Sequence, residues 1–139
     1  MNLFTYGSLM LPDVFHAVTG ARKPSREARL FDHARFRLAG ETYPAIIPLK
    51  GNCTDGKVYI GLNQDDIARL DAFEGEMYER VGKVIHRTDC PPECAQVYIL
   101  KDAYRHYLTD QPWDFDVFRT RDQKAFMSSF QGFVRSNGM

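Results

Sequence analysis

The chain has 139 residues, 44% of them hydrophobic, enough to enclose one core, so a single domain over residues 1–139 is expected. Lysine plus arginine equals aspartate plus glutamate at 18 each, and this balance leaves no long-range field to recruit nucleic acid or an anionic membrane, so the expected partner is a small molecule. No run of about 18 apolar residues occurs, no basic segment followed by an apolar stretch opens the chain, and three cysteines make a poor disulfide framework, so a cytoplasmic location is expected.

At the amino terminus Leu3-Phe4-Thr5-Tyr6 reads as a strand that breaks at Gly7-Ser8 and runs through Leu9-Met10-Leu11 toward a helix. Pro12 suits that helix's first turn, Val14, Phe15 and Val18 supply its apolar face, and Gly20 its stop. A glycine between strand and helix lets the backbone approach a ligand, and the free amides of the turn can receive an anion or an oxyanion. The competing reading is an ordinary tight connection, because the glycines and Gly-Lys-Ser/Thr ending of a P-loop are absent. Ser8 lacks a Gly-x-Ser-x-Gly elbow, so the role expected of its hydroxyl is closing the turn rather than nucleophilic attack.

Apolar and β-branched runs at 28–38, 44–49 and 56–62 read as strands. A helix follows, with Asn63 as N-cap and Gln64, Asp65 and Asp66 filling a first turn where negative side chains suit the helix dipole; Gly75 ends it. At about 100° per residue, Ile67, Leu70, Asp71 and Glu74 share one stripe, and Glu74 falls between the isoleucine and the leucine. A carboxyl there is pushed toward protonation by burial and by the negative end of the helix, which suits a proton shuttle near neutral pH. The alternative is a frayed helix with Glu74 solvated or held by a base such as Arg80.

Further strands are expected at 78–86 and 95–100. Between them Cys90-Pro91-Pro92-Glu93-Cys94, with His86 upstream and Cys53 elsewhere, raises a metal site, but the double proline more simply describes a turn; no metal and no cofactor is expected. His16, His33 and His106 stand at no ligand or triad spacing. In the tail, Thr120 with Gln123 matches a capping box, and Phe126, Phe130 and Phe133 form a stripe expected to pack on the sheet, with a partner groove as the alternative. Trp113, Phe115 and Phe118 either wall a pocket entrance or complete the core. Several strands without regular crossover helices indicate a curled mixed sheet rather than a doubly wound one.

Tyr6-Gly7-Ser8-Leu9, Tyr43-Pro44-Ala45, Gly61-Leu62 and Leu70-Asp71-Ala72-Phe73-Glu74-Gly75 followed by Tyr78 and Arg80 together resemble the γ-glutamylcyclotransferase-like superfamily. The branch resembled holds plant avirulence-induced-gene-like proteins and γ-glutamylamine cyclotransferases, and the likeness spans roughly residues 2–100. It implies an α+β fold, a small mixed, mainly antiparallel β-barrel with flanking short helices. It also implies conversion of a γ-glutamyl amine or amide to 5-oxoproline and a free amine, with Glu74 as general acid/base and Tyr6, Gly7, Ser8 and Leu9 holding the γ-glutamyl group. Tyr43, Tyr78 and Tyr98 are pocket candidates with packing as the competing role. Nothing after about residue 101 carries over, and leaving-group choice is expected there. Two rival functions are a family member that binds without turnover and an interaction module using the Phe-rich tail.

Overall fold

The computed structural model describes residues 1–128. Its first strand, β1 (Leu3–Thr5), is buried on both faces, because alternate side chains of a strand enter opposite layers. Leu3 packs with Val14, Phe15, Ile67 and Leu70, whereas Phe4 packs with Leu30, Val58, Ile85 and Val97. One face of the sheet therefore seats α1 (Pro12–Thr19) and α2 (Gln64–Glu74), and the other lines the interior of its own curl.

β2 (Ser25–Leu38) and β3 (Pro44–Tyr59) form a long antiparallel ribbon, and β4 (Tyr78–Ile85) pairs antiparallel with β5 (Glu93–Leu100). β1 joins them, antiparallel to β3 and parallel to β5, giving the order β4-β5-β1-β3-β2-β6. The far side of the curl is closed by a bridge in which Arg29 and His86 exchange backbone hydrogen bonds of 2.9 Å each. The result is a mixed, mostly antiparallel six-stranded half-barrel with short helices, as expected.

Three elements differ from the sequence-based expectation. The strands expected at 44–49 and 56–62 are one strand, because residues 49–52 bulge opposite Asp32 rather than breaking it; the pairing slips between Phe31 and His33, and the Asp32 carboxylate accepts the Gly51 amide at 3.0 Å. A short edge strand, β6 (Leu108–Pro112), adds to β2 without having been expected. The tail helix starts at Asp114, whose carboxylate accepts the Asp116 and Val117 amides, and the chain runs through α3 (Phe115–Val117) and a π-helical turn (Phe118–Asp122) into helical residues 123–128. The Thr120–Gln123 box therefore does not form: Asp114 caps first, and the Thr120 hydroxyl donates back to the Asp116 carbonyl at 2.7 Å. Trp113 and Phe118 complete the helix-side core; Phe130 and Phe133 lie outside the described residues. No helix among the described residues is long and apolar enough to cross a membrane.

Candidate active site

Where β1 ends, the chain makes one tight turn over Ser8–Met10, closed by the Met10 and Leu11 amides donating to the carbonyls of Gly7 and Ser8 at 3.0 and 3.1 Å. A side chain at Gly7 would put its Cβ 2.9 Å from Pro44 Cδ. With φ at −131°, the glycine is required for close approach and not for a left-handed backbone. The Tyr6 carbonyl is held by the Arg35 guanidinium at 2.7 Å, which in turn lies 5.2 Å from the centre of the Trp113 ring. Among the described residues the amides of Gly7, Ser8 and Leu9 find no acceptor. The expected turn-closing role of the Ser8 hydroxyl is not seen: backbone bonds close the turn, and the hydroxyl bonds to no described residue.

α2 forms where its capping residues stand. The Asn63 side chain accepts the Asp66 amide at 2.8 Å, the Asp66 carboxylate accepts the Asn63 amide at 3.0 Å, and Gly75 stops the helix at φ 76°. Glu74 is its last residue. Arg80 does not reach Glu74; its guanidinium binds Asp71 at 2.9 Å and Gln96 at 2.7 Å. Asp71 also accepts from the Tyr98 hydroxyl at 2.7 Å, so this more exposed neighbour on the same stripe is fully engaged. Among the described residues no donor reaches the Glu74 carboxyl.

Glu74, Tyr6, Gly7, Ser8, Leu9, Tyr43, Tyr78 and Tyr98 all line one cavity of about 160 Å³. The cavity admits some water to Glu74, so the residue is half-buried by surface, yet the surrounding protein pushes its carboxyl up to about 8 through burial. Its position at the negative end of α2 acts in the same direction. The phenols around it are not its donors. Tyr6 donates to the Tyr98 carbonyl at 2.6 Å and Tyr78 to the Pro44 carbonyl at 2.8 Å, while Tyr98 is spent on Asp71. Burial, followed by the charge of Glu74, raises the Tyr6 phenol well above its ordinary range; burial and then Glu41 push Tyr43 up to about 12. Neutral phenols and an uncompensated carboxyl thus face each other across the cavity.

Sequence reasoning missed several lining residues, among them Phe73, Met77 and Phe126. Phe126 was assigned to the core by its helical spacing; it is half-buried at the cavity rim because Tyr43 and Phe73 meet its ring there. A second hollow, of about 600 Å³, opens on Arg29, Asp55, Lys57 and Arg87, but Arg29 is spent on Asp55 at 2.8 Å and Arg87 on Asp89 at 2.7 Å. Cys53, Cys90 and Cys94 are free thiols, and no three metal-binding side chains gather among the described residues.

A family model described as γ-glutamyl cyclotransferase, AIG2-like, matches residues 3–115. The chain is 35% identical over 137 residues to AIG2-like protein D of Arabidopsis thaliana, covering 96% of this chain and 88% of that protein. A solution structure of an Arabidopsis thaliana protein, 31% identical, matches with a TM-score of 0.69 over 99% of this chain and 93% of its own. A γ-glutamyl cyclotransferase of known structure shares the fold at a TM-score of 0.64 and 19% identity, over 72% of this chain and 66% of that one.

Proposed function

The chain belongs to the AIG2-like γ-glutamyl cyclotransferase family, and from that premise we propose that it releases 5-oxoproline and a free amine from a γ-glutamyl amine or amide. One juxtaposition carries the reading: the Glu74 carboxyl and the amides of Gly7, Ser8 and Leu9, none of them bonded among the described residues, share one small cavity.

The reaction needs no nucleophile from the protein. The substrate's α-amine attacks its own γ-carbonyl carbon, a C–N bond closes the five-membered lactam, and the C–N bond to the departing amine breaks. The first nitrogen gives up a proton and the second takes one, so one carboxyl that accepts and then delivers is sufficient. An ordinary glutamate near 4.3 is a weak base for this, whereas a carboxyl pushed up to about 8 lies much closer to the range of an aliphatic α-amine. The raised carboxyl narrows the gap that proton exchange between the two must cross. As the carbonyl becomes tetrahedral, its oxygen gains charge, and the turn amides serve that oxyanion or the substrate's α-carboxylate. Ring closure is intramolecular, so holding the bent conformer between Tyr6, Tyr78 and Tyr98 supplies much of the remaining advantage.

The test is 5-oxoproline release from a panel of γ-glutamyl amines, γ-glutamyl amino acids and glutathione, with Glu74→Gln run alongside. Turnover by the natural chain and its loss in the variant are expected. Tight binding of a panel member without 5-oxoproline from any would replace catalysis with ligand binding.

A further inference from the structure

The turn that supplies the amides is held from behind. In a planar trans peptide the carbonyl and the N–H point in opposite directions, so whatever fixes the Tyr6 carbonyl also fixes where the Gly7 amide points. The Tyr6–Gly7 peptide is trans, and its carbonyl accepts from Arg35 Nη1 at 2.7 Å. Arg35 does not line the cavity of Glu74, whereas Tyr6, Gly7, Ser8 and Leu9 do. Its other two partners are the Asp55 carbonyl at 3.1 Å and Met10 Sδ at 3.9 Å, and both residues line the second hollow. The guanidinium therefore reaches the peptide from the side away from Glu74, and the opposed N–H of Gly7 faces the cavity.

A brace is needed there because the residue it acts on is a glycine. Pro44 excludes a side chain at position 7, and a glycine takes a positive φ about as readily as a negative one. Rotation of this peptide, of the kind that separates type I from type II turns, would swing the carbonyl oxygen into the cavity in place of the N–H. A carbonyl dipole in that place repels a carboxylate or an oxyanion. The bond to Arg35 opposes the rotation, and because it is charge-assisted it also polarises the peptide and strengthens the N–H as a donor. Arg35 is itself fixed: β2 carries it opposite Ile46, the Trp113 ring centre lies 5.2 Å away, and the Trp113 indole donates to the Thr42 carbonyl at 2.7 Å. Burial lowers the guanidinium from its ordinary range while Asp55 and Asp114 oppose the shift, and an arginine keeps its proton regardless. Trp113 and Asp114, at the entry to the tail helix, thus buttress the turn through one side chain.

Resting on the cyclisation reading for its ligand, we infer that Arg35 is a positioning residue, which aims the Gly7 amide at an anionic oxygen of the γ-glutamyl group.

Arg35→Met keeps an apolar stem and removes the donors, whereas Arg35→Lys returns one charged donor. Amide spectra first establish that each variant is folded. Arg35→Met should lower kcat/KM for 5-oxoproline release by roughly 10- to 100-fold, short of the 10²–10³ lost with an oxyanion donor outright, and Arg35→Lys should recover most of it. The pH–rate limb near 8 should stay in place in both, because burial and not Arg35 raises the Glu74 carboxyl. A second readout needs no turnover. Titration with 5-oxoproline, which carries a carboxylate and a lactam oxygen, should move the Gly7 amide cross-peak in the natural chain and in Arg35→Lys, and much less in Arg35→Met. A folded Arg35→Met with kcat/KM within about twofold of the natural chain, or with an undiminished Gly7 response, overturns the positioning role and leaves cyclisation intact. A Gly7 peak that 5-oxoproline leaves unmoved in the natural chain overturns it whatever the variants do. Absence of 5-oxoproline release from every γ-glutamyl compound overturns cyclisation, and the Gly7 titration then decides the role of Arg35 by itself.

Discussion

The two ends of α2 each bury a carboxylate, and they do so under opposite conditions. At the first end Asp66, 3% exposed, accepts the Asn63 amide at 3.0 Å, lies 3.9 Å from the Lys23 ammonium and faces the positive end of the helix. At the last end Glu74 faces the negative pole, meets no donor among the described residues and is pushed up to about 8 by burial. One helix thus carries both a structural and an activated carboxyl. By surface the more buried of the two is the one with donors, so what separates them is the supply of donors, and that supply follows from which end of the helix the residue occupies.

The largest expected effect removes the activated end. Glu74→Gln keeps shape and hydrogen-bonding capacity but cannot carry a proton, so 5-oxoproline release should fall by roughly 10²–10⁴-fold while the protein stays folded. Near-normal turnover in this variant would make Glu74 no different in kind from Asp66. In the natural chain, kcat/KM should rise with pH through a limb near 8, because the group must start ionised to act as base.

Stability should show the same asymmetry. In the unfolded chain Glu74 ionises above about 4.3, whereas in the folded protein it does so only above about 8. Between these values unfolding releases a proton, so this carboxyl lowers stability progressively as pH rises through that window and adds no further loss above it. Glu74→Gln should therefore match the natural chain near pH 4 and exceed it above pH 8 by at most roughly 5 kcal/mol, less whatever screening the cavity water provides. Denaturant unfolding across pH reads this directly; a constant difference between the two proteins would mean the carboxyl is not perturbed.

Legibility in the sequence follows the range over which each cause acts. The limits of α2 were readable because Asn63 and Gly75 act within a turn of where they stand, and the inward stripe of Ile67, Leu70 and Glu74 is plain periodicity. The β2–β3 ribbon was readable as strands but not as one strand, since Lys50-Gly51-Asn52 looks the same locally whether it ends a strand or bulges from it. The reason for Gly7 was not legible at all: the obstacle to a side chain is Pro44, brought there by β3. The same holds for the Arg35 contact to the Tyr6 carbonyl and for the ring contacts that place Phe126 at the rim. Local signals fixed the carboxyl, and tertiary contacts fixed what surrounds it.

The structured end of α2 offers a smaller effect. Asp66→Ala removes the acceptor for the Asn63 amide and half of the capping box, so it should cost about 1–2 kcal/mol in urea unfolding. The limb of the pH–rate profile near 8 should stay where it is. A moved limb would mean that the two ends communicate through the helix rather than being set independently.

The smallest expected effect tests whether Glu74 is truly without a base. Arg80 is the base the sequence offers as a partner, and its guanidinium goes to Asp71 and Gln96, which raises it above its ordinary range through the Asp71 hydrogen bond. That pair is largely open to water, so Arg80→Gln should cost under about 1 kcal/mol. It should also leave the pH–rate limb within a few tenths of its natural position, because an arginine already committed to Asp71 gives Glu74 no short-range support. An upward move of the limb by about a full pH unit, equivalent to roughly 1.4 kcal/mol, would show that Arg80 had been stabilising the Glu74 carboxylate. In that case both ends of α2 would be partnered, and the distinction between a structural and an activated carboxyl would have to rest on distance alone.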